Sequence, residues 1–493
     1  MARKKPISGA LKASLLKRKR AERRRLQQQA HQHEQPAHEQ ATTTIVLDVP
    51  LSSHHLYSIP ANDLRSRFQK EPRALIEQRK LLAQQPVKRI DSGFQLKWDD
   101  LVNLNQLSIP ERPDWNYSMG KDELEQSETE VFENWLKSIH SEHPDTNLNL
   151  FEHNLEVWRQ LWRTIESSHI ILLITDARYP LFFLHHGLCR YILNKHRLPI
   201  IIVLNKADLV PEQHIDSWKS FFSLNFPQFH VVTVSSHQII RIDHDEEVQR
   251  ANLPDSTGCA VEENDVIVSA LRVKGGRRQF KSEYKAIGRE ELFSECRLCI
   301  QELQNDASFA KDGRSDGRFT LGMVGMPSSG KSSLINAIVG KHVVSTSRTP
   351  GHTKHFQTIM LDDVWTLMDC PGIIFPSVCE SRQIQIVMGL YPLAQVAEPY
   401  SIVQFVAERT SVPLEEIYNL PYNSDESGNS IPFSAFTIAE GVALKKGWRT
   451  SKSGGRPNAH RGAISILTDV VDGRIQLLFE PPKGKMNVPQ LFD

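Results

Sequence analysis

Six short runs of mostly aliphatic residues mark the middle of the chain, and each ends in polar residues. Helix-like stretches separate most of these runs. Continuous apolar runs of this length are typical of strands that are buried on both faces of a parallel sheet. The pattern predicts a doubly wound α/β sheet whose ligand site lies at the carboxyl ends of its strands. The six predicted strands lie within residues 169–177, 199–208, 230–236, 319–325, 355–361 and 364–372.

The pattern outside these runs predicts helices and a division into domains. Helices are expected from Asp114 to about His140 and near Glu290 to Asn305. A further helix with a core-facing stripe is predicted by apolar residues at helical spacing, which are Phe151, Leu155, Trp158, Trp162 and Ile165. The predicted domains are an arm and linker (1–44), a partly helical N-terminal extension (45–150), a nucleotide-binding domain (151–375) with an acidic insertion at about 240–310, and a mainly helical C-terminal domain (376–493).

Charge is distributed unevenly along the 493 residues. The net charge is +1, yet the segment from Met1 to Arg25 holds eleven Lys or Arg and one Glu. Like charges at this density repel each other, so we expect a disordered arm that binds a polyanion such as RNA or a nuclear import receptor. Two alternatives remain, a solubilising tail and a mitochondrial transit segment. The Gln-rich sequence after the arm fits an amphipathic presequence poorly.

Cysteine usage and hydropathy indicate the compartment. The six cysteines are irregularly spaced and follow no secretory signal, which favours a reducing environment such as the cytoplasm, nucleus or nucleolus. The pair Cys296 and Cys299 stands without a second pair, so we interpret it as a helix face and not a zinc site. No apolar run approaches the roughly 20 residues that cross a bilayer, so no membrane association is expected.

A phosphate-binding loop follows the fourth predicted strand. Its sequence GMPSSGKSS comprises Gly325, Met326, Pro327, Ser328, Ser329, Gly330, Lys331, Ser332 and Ser333. The glycines allow backbone N–H groups to surround the β-phosphate, Lys331 can reach the β- and γ-oxygens, and the Ser332 hydroxyl can ligate Mg²⁺. A strand before the loop and an apolar helix pattern after it are the context that this motif requires.

Two further segments would complete the magnesium and γ-phosphate sites. Asp369 ends the last predicted strand, 37 residues after Ser332, and its carboxylate would hold Mg²⁺ through water. The Gly372 N–H would sense the γ-phosphate. In the loop RTPGHTKHF, Thr349 and Thr353 are both candidates for a hydroxyl that closes over Mg²⁺, and we favour Thr353.

The sequence Asn205-Lys206-Ala207-Asp208 predicts guanine recognition. The Asp208 carboxylate would accept from the guanine N1–H and exocyclic amine, which adenine cannot present together, so an ATPase is disfavoured. Lys206 would lie along the base, and Asn205 would join this loop to the phosphate loop. A backbone N–H at Ser235 or Ser236, after the next strand, would bind the guanine oxygen.

These elements follow one another in a rotated order. The guanine loop precedes the phosphate loop by 120 residues, and this order resembles that of the circularly permuted GTPases, which include ribosome-assembly GTPases. Asp176-Ala177-Arg178 with Pro180 matches their Asp-Ala-Arg signature. RPDWNYSM (112–119) and LYPLAQVAEPYS (390–401) resemble the guanine nucleotide-binding protein-like 1 branch. The resemblance implies a circularly permuted P-loop GTPase fold and a basic arm.

Two departures from the family pattern bear on activity, and so does Ile373, which resembles the family's hydrophobic substitution for the usual glutamine. Ser328 replaces the Asn that helps to hold potassium in many relatives, which argues against potassium stimulation. His237 follows the two serines where Lys is common. Ile373 follows the Asp-x-x-Gly sequence, and an apolar side chain cannot orient the attacking water. We therefore expect slow intrinsic hydrolysis that awaits an activator, and we assign no catalytic base.

The sequence favours a GTP-hydrolysing molecular switch in ribosome biogenesis. A Gly-rich basic stretch at 447–463 would contact RNA phosphates through Arg449, Lys452, Arg456 and Arg461, unless it is only a solvated loop. The expected ligands are GTP, GDP and Mg²⁺, and the expected partner is ribosomal RNA or a pre-ribosomal subunit. The alternative is a nucleotide-gated protein-binding module in which hydrolysis is incidental.

Overall fold

The computed structural model describes residues 73–90, 107–143, 148–242, 280–305, 318–346, 356–378, 382–421, 431–450 and 455–484. All of them belong to the compact unit Ala61–Asp493. The predicted basic arm, most of the acidic insertion, Thr349, Thr353 and Lys452 lie outside the described residues. Within the described part of the chain, no helix is both long and apolar enough to cross a membrane.

Helices and strands alternate over residues 155–233 and again over residues 289–360, as predicted for an α/β domain. In chain order they are α1 Arg73–Leu82, α2 Lys121–Glu142, α3 Leu155–Glu166, β1 Ile170–Asp176, α4 His186–Arg190, β2 Ile200–Asn205, α5 Glu212–Asn225, β3 His230–Thr233, β4 Ser235–Ile242, β5 Phe280–Ile287, α6 Arg289–Asn305, β6 Phe319–Val324, α7 Lys331–Val339, β7 Gln357–Met360, β8 Trp365–Asp369, α8 Arg382–Val387, α9 Tyr400–Ala407, α10 Leu414–Ile417, α11 Ala435–Lys445 and α12 Ala459–Val471.

All six predicted strands form one sheet, with the strand order β3-β2-β1-β6-β8-β7. Every neighbouring pair is parallel except β7 and β8, which are antiparallel. The strands β1, β2 and β3 extend in chain order to one side of the sheet, and β6, β8 and β7 lie on the other side, so the direction of the strand order reverses between β1 and β6. Open α/β sheets bind ligands at such a switch point.

The sheet is covered on both faces, which explains the unbroken apolar runs. Every residue of β1 and β2 is buried. One face packs against a cluster that includes Trp158 and Trp162 of α3, so the helix predicted from the apolar stripe is confirmed. The other face packs against α6 and α7, and the buried thiols of Cys296 and Cys299 lie in that core.

The helix predicted near Glu290 to Asn305 is confirmed as α6, and β4 and β5 form an antiparallel two-stranded sheet ahead of it. One local prediction needs correction. The predicted helix at Asp114 begins instead at Lys121, and Gly120 occupies its N-cap. Pro113 restricts the residue before it to extended backbone, and the preceding segment packs on α3, where Trp162 Nε1 donates to Pro110 O at 2.9 Å.

The C-terminal helices pack closely and also bind part of the N-terminal extension. A Cβ on Gly462 of α12 would lie 1.9 Å from Ala439 O of α11, so only glycine permits this crossing. Val87 N donates to Phe433 O at 2.9 Å, and Ile90 N donates to Glu408 O at 3.0 Å. The segment after α1 is therefore part of the C-terminal helical layer.

Candidate nucleotide-binding site

The structure brings the predicted guanine and phosphate loops together at the carboxyl edge of the sheet. Asn205 is fully buried at the end of β2, and its Nδ2 donates to Ser329 O in the phosphate loop at 2.8 Å. Ser236 Oγ donates to Asn205 Oδ1 at 3.5 Å. Ser235 Oγ donates to Asp208 Oδ1 at 2.8 Å. Residues from three loops that are distant in sequence thus share one hydrogen-bonded network.

The phosphate loop has a backbone that requires glycine at two positions. Gly325 has φ +155° and Gly330 has φ +92°. A Cβ on Gly325 would lie 2.5 Å from Ile174 O, and one on Gly330 would lie 2.4 Å from Asn205 Nδ2. Helix α7 begins directly after Gly330, so the N–H groups of its first turn and the positive end of its dipole face the loop.

Lys331 is held inside the loop by the loop's own carbonyl groups. Its Nζ donates to Gly325 O at 2.9 Å and to Met326 O at 2.8 Å. Burial lowers the pKa of Lys331 to about 8, and the nearby Asp369 carboxylate opposes this only in part. The ammonium group is already dehydrated and positioned, which favours an interaction with phosphate oxygens over one with water.

Ser332 and Asp369 form a pair of oxygen donors that fits a magnesium ion. Ser332 Oγ donates to Asp369 Oδ2 at 2.9 Å. Among the described residues, Asp369 Oδ1 has no hydrogen-bond partner although the side chain is fully buried. Burial raises the pKa of Asp369. A buried carboxylate oxygen without a partner beside a serine hydroxyl is the arrangement that a hard cation would complete.

The guanine loop is anchored by two residues of the Asp-Ala-Arg sequence. Lys206 has φ +62°, and its Nζ donates to Asp176 Oδ2 at 2.8 Å. Arg178 binds the same carboxylate through Nε and Nη2, at 2.9 and 2.8 Å. Burial alone would raise the pKa of Asp176, but the charges of Arg178 and Lys206 hold it well below its usual range. Asp176 therefore stays ionised and fixes Lys206.

Sequence reasoning identified Asp176 and Arg178 only as a family signature and did not predict this anchoring role. An Asp at the end of β1 is adjacent to the end of β2 in a parallel sheet, and Asp176 indeed pairs in register with Asn205. The strand pattern could have indicated that Asp176 lies next to Asn205, because β1 and β2 are consecutive strands. Only Asp208, in the 3₁₀ turn Ala207–Leu209, remains exposed to receive a base.

The segment after Asp369, which would sense the γ-phosphate, lies close to the phosphate loop and then enters the core. A Cβ on Gly372 would lie 2.7 Å from Pro327 Cα and 3.0 Å from Lys331 Nζ. Ile373, the residue at the position that would have to orient water, is 1% exposed. Ser328 has φ +59°, and its Oγ donates to Gly389 O at 2.7 Å, a contact that the sequence did not indicate.

A six-stranded sheet with a phosphate loop after β6, an Asp-x-x-Gly turn after β8 and a guanine loop after β2 defines a P-loop GTPase with a circularly permuted chain. Residues 320–419 match the family described as 50S ribosome-binding GTPase. Guanine nucleotide-binding protein-like 1 of Homo sapiens is 37% identical over 448 residues, which cover 85% of this chain and 73% of that protein. The chain therefore belongs to the guanine nucleotide-binding protein-like 1 family.

Two other comparisons are more distant. GTPase LSG1-2 of Arabidopsis thaliana is 31% identical over 409 residues, which cover 79% of this chain and 65% of that protein. The crystal structure of GNP-bound YlqF from T. maritima is 17% identical and covers 67% of this chain and 100% of that chain, with a TM-score of 0.35.

Proposed function

We propose that this GTPase is a molecular switch in ribosome biogenesis, which binds ribosomal RNA or a pre-ribosomal subunit and is released after GTP hydrolysis. The observation that carries the nucleotide part is the bond from Asn205 Nδ2 to Ser329 O, because it fixes the base-recognition loop relative to the phosphate loop. The family match supports the ribosomal part, since the family that residues 320–419 match is described as 50S ribosome-binding GTPase.

The nucleotide would lie across the network that joins the two loops. Asp208 would accept from guanine N1–H and the exocyclic amine, while a backbone N–H at Ser235 or Ser236 would donate to the guanine oxygen. Residues 325–333 would surround the phosphates, with Lys331 on the β- and γ-oxygens. Gly372, which lies against Pro327, would donate its N–H to the γ-phosphate.

Magnesium would be held by Ser332 and Asp369, with Thr353 as the proposed third residue. When bound, the ion neutralises charge that develops on the phosphate oxygens during hydrolysis. The chain itself offers no group to orient water at Ile373, because that side chain lies in the core. Intrinsic hydrolysis is therefore slow, and an activator supplies the missing interaction.

A basic surface in the C-terminal region supports RNA binding. It consists of Lys446, Trp448, Arg449, Arg456 and Arg461, and we call it the basic surface. The Arg461 guanidinium lies 4.3 Å from the centre of the Trp448 ring, and Lys446 Nζ lies 5.3 Å from it. All four cations are exposed. Cations grouped around an indole suit phosphate contact combined with base stacking.

The experiment compares the full chain with a variant in which Arg449, Arg456 and Arg461 are changed to Ala. Filter binding to purified ribosomal subunits is measured with GDP or a non-hydrolysable GTP analogue, at increasing salt. We expect tighter binding with the GTP analogue and a reduced salt slope in the variant. A control changes Lys121 and Lys137, two exposed lysines of α2, to Ala. Equal binding by all three proteins in both nucleotide states would exclude the proposal.

A protein partner with incidental hydrolysis is the second candidate function. The observation that favours it is an exposed aromatic pair in the segment before α2. Tyr117 is 97% exposed and Trp115 is 38% exposed, with ring centres 5.3 Å apart. Changing Trp115 and Tyr117 to Ala would then abolish partner capture, and GTP turnover would stay negligible when ribosomal subunits are added.

The basic arm, Met1 to Arg25, is proposed to add a sequence-independent contact to RNA or to bind a nuclear import receptor. This assigns the protein to the cytoplasm and the nucleus or nucleolus. Imaging a tagged chain with and without residues 1–25 tests the assignment. An unchanged distribution together with unchanged subunit binding would leave the solubilising tail as the explanation.

A further inference from the structure

Arg178 joins the guanine loop to the C-terminal helix α12. Two of its nitrogens bind the Asp176 carboxylate, which also anchors Lys206, and its Nη1 donates to Val470 O at 2.9 Å. The side chain of Arg178 is almost fully buried. In addition, Phe479 N donates to Arg178 O at 3.2 Å. One guanidinium group thus bridges the anchor of the base-recognition loop and a backbone carbonyl at the end of α12.

The end of α12 also touches the guanine loop directly. A Cβ on Gly473, in the turn after the helix, would lie 2.9 Å from Leu209 Cδ1. Gly473 has φ +81°, so the turn depends on glycine for its backbone as well as for this close approach. The base side of the nucleotide site and the end of α12 therefore form one packed unit.

A second contact reaches the phosphate loop. Ser328 Oγ donates to Gly389 O, and a Cβ on Gly389 would lie 2.9 Å from Val471 Cγ1 in the last turn of α12. The helix end is consequently held between the base-recognition side and the phosphate side of the site. A change in the relative position of the two loops must alter at least one of these contacts.

The opposite end of α12 carries part of the basic surface. The helix has 13 residues, Ala459–Val471, and so spans about 20 Å. Its N-cap residue Asn458 accepts from Arg461 N, and Arg461 lies over Trp448. A single rigid element therefore runs from the nucleotide site to the surface that is proposed to bind RNA.

We propose that Arg178 is a positioning residue that couples guanine recognition to α12. A bound base restrains Lys206, and through Asp176 and Arg178 it stabilises the docked position of the helix end. Because this coupling begins at the base, GDP and GTP stabilise the helix end equally. The contact of Gly372 with the γ-phosphate is what distinguishes the two nucleotides. An effect of this coupling on RNA binding rests on the proposed function, but the coupling itself requires only a guanine nucleotide.

Hydrogen exchange of the full chain, followed by mass spectrometry without RNA, tests the coupling. Peptides that cover 459–471 are compared without nucleotide, with GDP and with a non-hydrolysable GTP analogue. We expect both nucleotides to slow exchange in α12 by a similar factor. In Arg178→Ala this nucleotide-dependent difference disappears at saturating GDP. Because coupling is reciprocal, the Kd for GDP should rise by about 5- to 150-fold in the same variant.

The control is Arg474→Ala, which removes an exposed arginine at the same end of α12 that bonds to Asp469. It should retain the full nucleotide-dependent protection. A purely structural role for Arg178 would speed exchange equally in all three nucleotide states, and that outcome would overturn the proposal. So would a wild-type chain whose α12 exchange ignores GDP, or an Arg178→Ala chain that keeps the wild-type difference.

A second variant covers the case in which Arg178→Ala does not fold. Arg178→Lys keeps a positive charge beside Asp176, but a single ammonium group cannot reproduce the fork that binds both Asp176 oxygens and Val470 O. It should also lose the nucleotide-dependent difference, and retention of that difference would refute the coupling. The experiment contains no RNA, so its failure and a failure of RNA binding are separate results.

Discussion

Replacing Ile373 with Gln tests whether this position faces the γ-phosphate or the core. Many GTPases place a glutamine near the Asp-x-x-Gly turn to orient water, so the substitution would create a faster enzyme if the side chain faced the nucleotide. The structure instead places Ile373 in the main core cluster at 1% exposure, followed by the buried residues Ile374 and Phe375. We therefore expect a loss of stability without a gain in hydrolysis.

The size of the loss follows from what Ile373 buries. Burying an isoleucine side chain contributes about 1.5 to 3 kcal/mol. An amide buried without a partner costs about 1 to 3 kcal/mol on the scale of protein mutants. Ile373→Gln should therefore lower the free energy of unfolding by about 2.5 to 6 kcal/mol, a large part of the ~5 to 15 kcal/mol that is usual for a domain.

The assays are urea unfolding and single-turnover GTP hydrolysis on the same preparations. Ile373→Leu is the control, because it keeps the volume and should cost less than about 1.5 kcal/mol. We expect the hydrolysis rate of Ile373→Gln to stay within about threefold of wild type when the folded fraction is taken into account, since less than about 0.7 kcal/mol of transition-state stabilisation is at stake. A Gln variant as stable as wild type, or one that hydrolyses GTP tenfold faster, would refute this placement.

Two further predictions concern the nucleotide site, and a third concerns stability. Asp208→Asn should shift the preference from GTP toward xanthosine triphosphate, because the Asn amide donates a hydrogen bond where the Asp carboxylate accepts one. Competition binding of the two nucleotides measures this preference, and an unchanged preference would refute the guanine assignment. Affinity for GDP should be highest below pH 8 and fall by up to about tenfold per pH unit above it, because Lys331 has a pKa of about 8 without nucleotide and bound phosphate raises it. Titration at pH 7, 8 and 8.8 tests this, and a flat profile contradicts it. Asn336→Ala should destabilise the chain by about 2 to 4 kcal/mol, since buried Asn336 binds Val343 N, Val344 N and Val344 O; thermal unfolding within 1 °C of wild type would contradict it.

The strands and the loops at their ends could be predicted from sequence because both follow local rules. Burial on two faces produces unbroken apolar runs, and a parallel sheet brings the residues after each run to one edge. The guanine-loop motif predicts that Asn205 joins its loop to the phosphate loop, and the structure contains such a link, from Asn205 Nδ2 to Ser329 O. The carboxylate of Asp369 likewise lies beside Ser332, as the motif spacing indicated.

Other features could not be predicted, because they depend on partners that are far away in the chain. The strands β4 and β5 pair across 37 intervening residues, and neither strand shows the apolar run that identified the six main strands. The bonds from Ser328 to Gly389 and from Arg178 to Val470 join residues 61 and 292 positions apart. Nothing local at either end specifies such a contact.

In this rotated chain order, the segment that would sense the γ-phosphate leaves the sheet after Gly372 and leads to the C-terminal helices. Before it reaches them, it is held by hydrogen bonds to other parts of the chain. Asn149 Nδ2 donates to Phe375 O at 2.9 Å, Ser377 N donates to Asn149 Oδ1 at 2.9 Å, and His185 Nε2 bonds to Pro376 O at 3.1 Å. A displacement of Gly372 by the γ-phosphate would therefore act first on the segment around Asn149 that leads into α3. The guanine side reaches α12 by the separate route through Arg178, so the C-terminal helices can respond to bound nucleotide even when the γ-phosphate is absent.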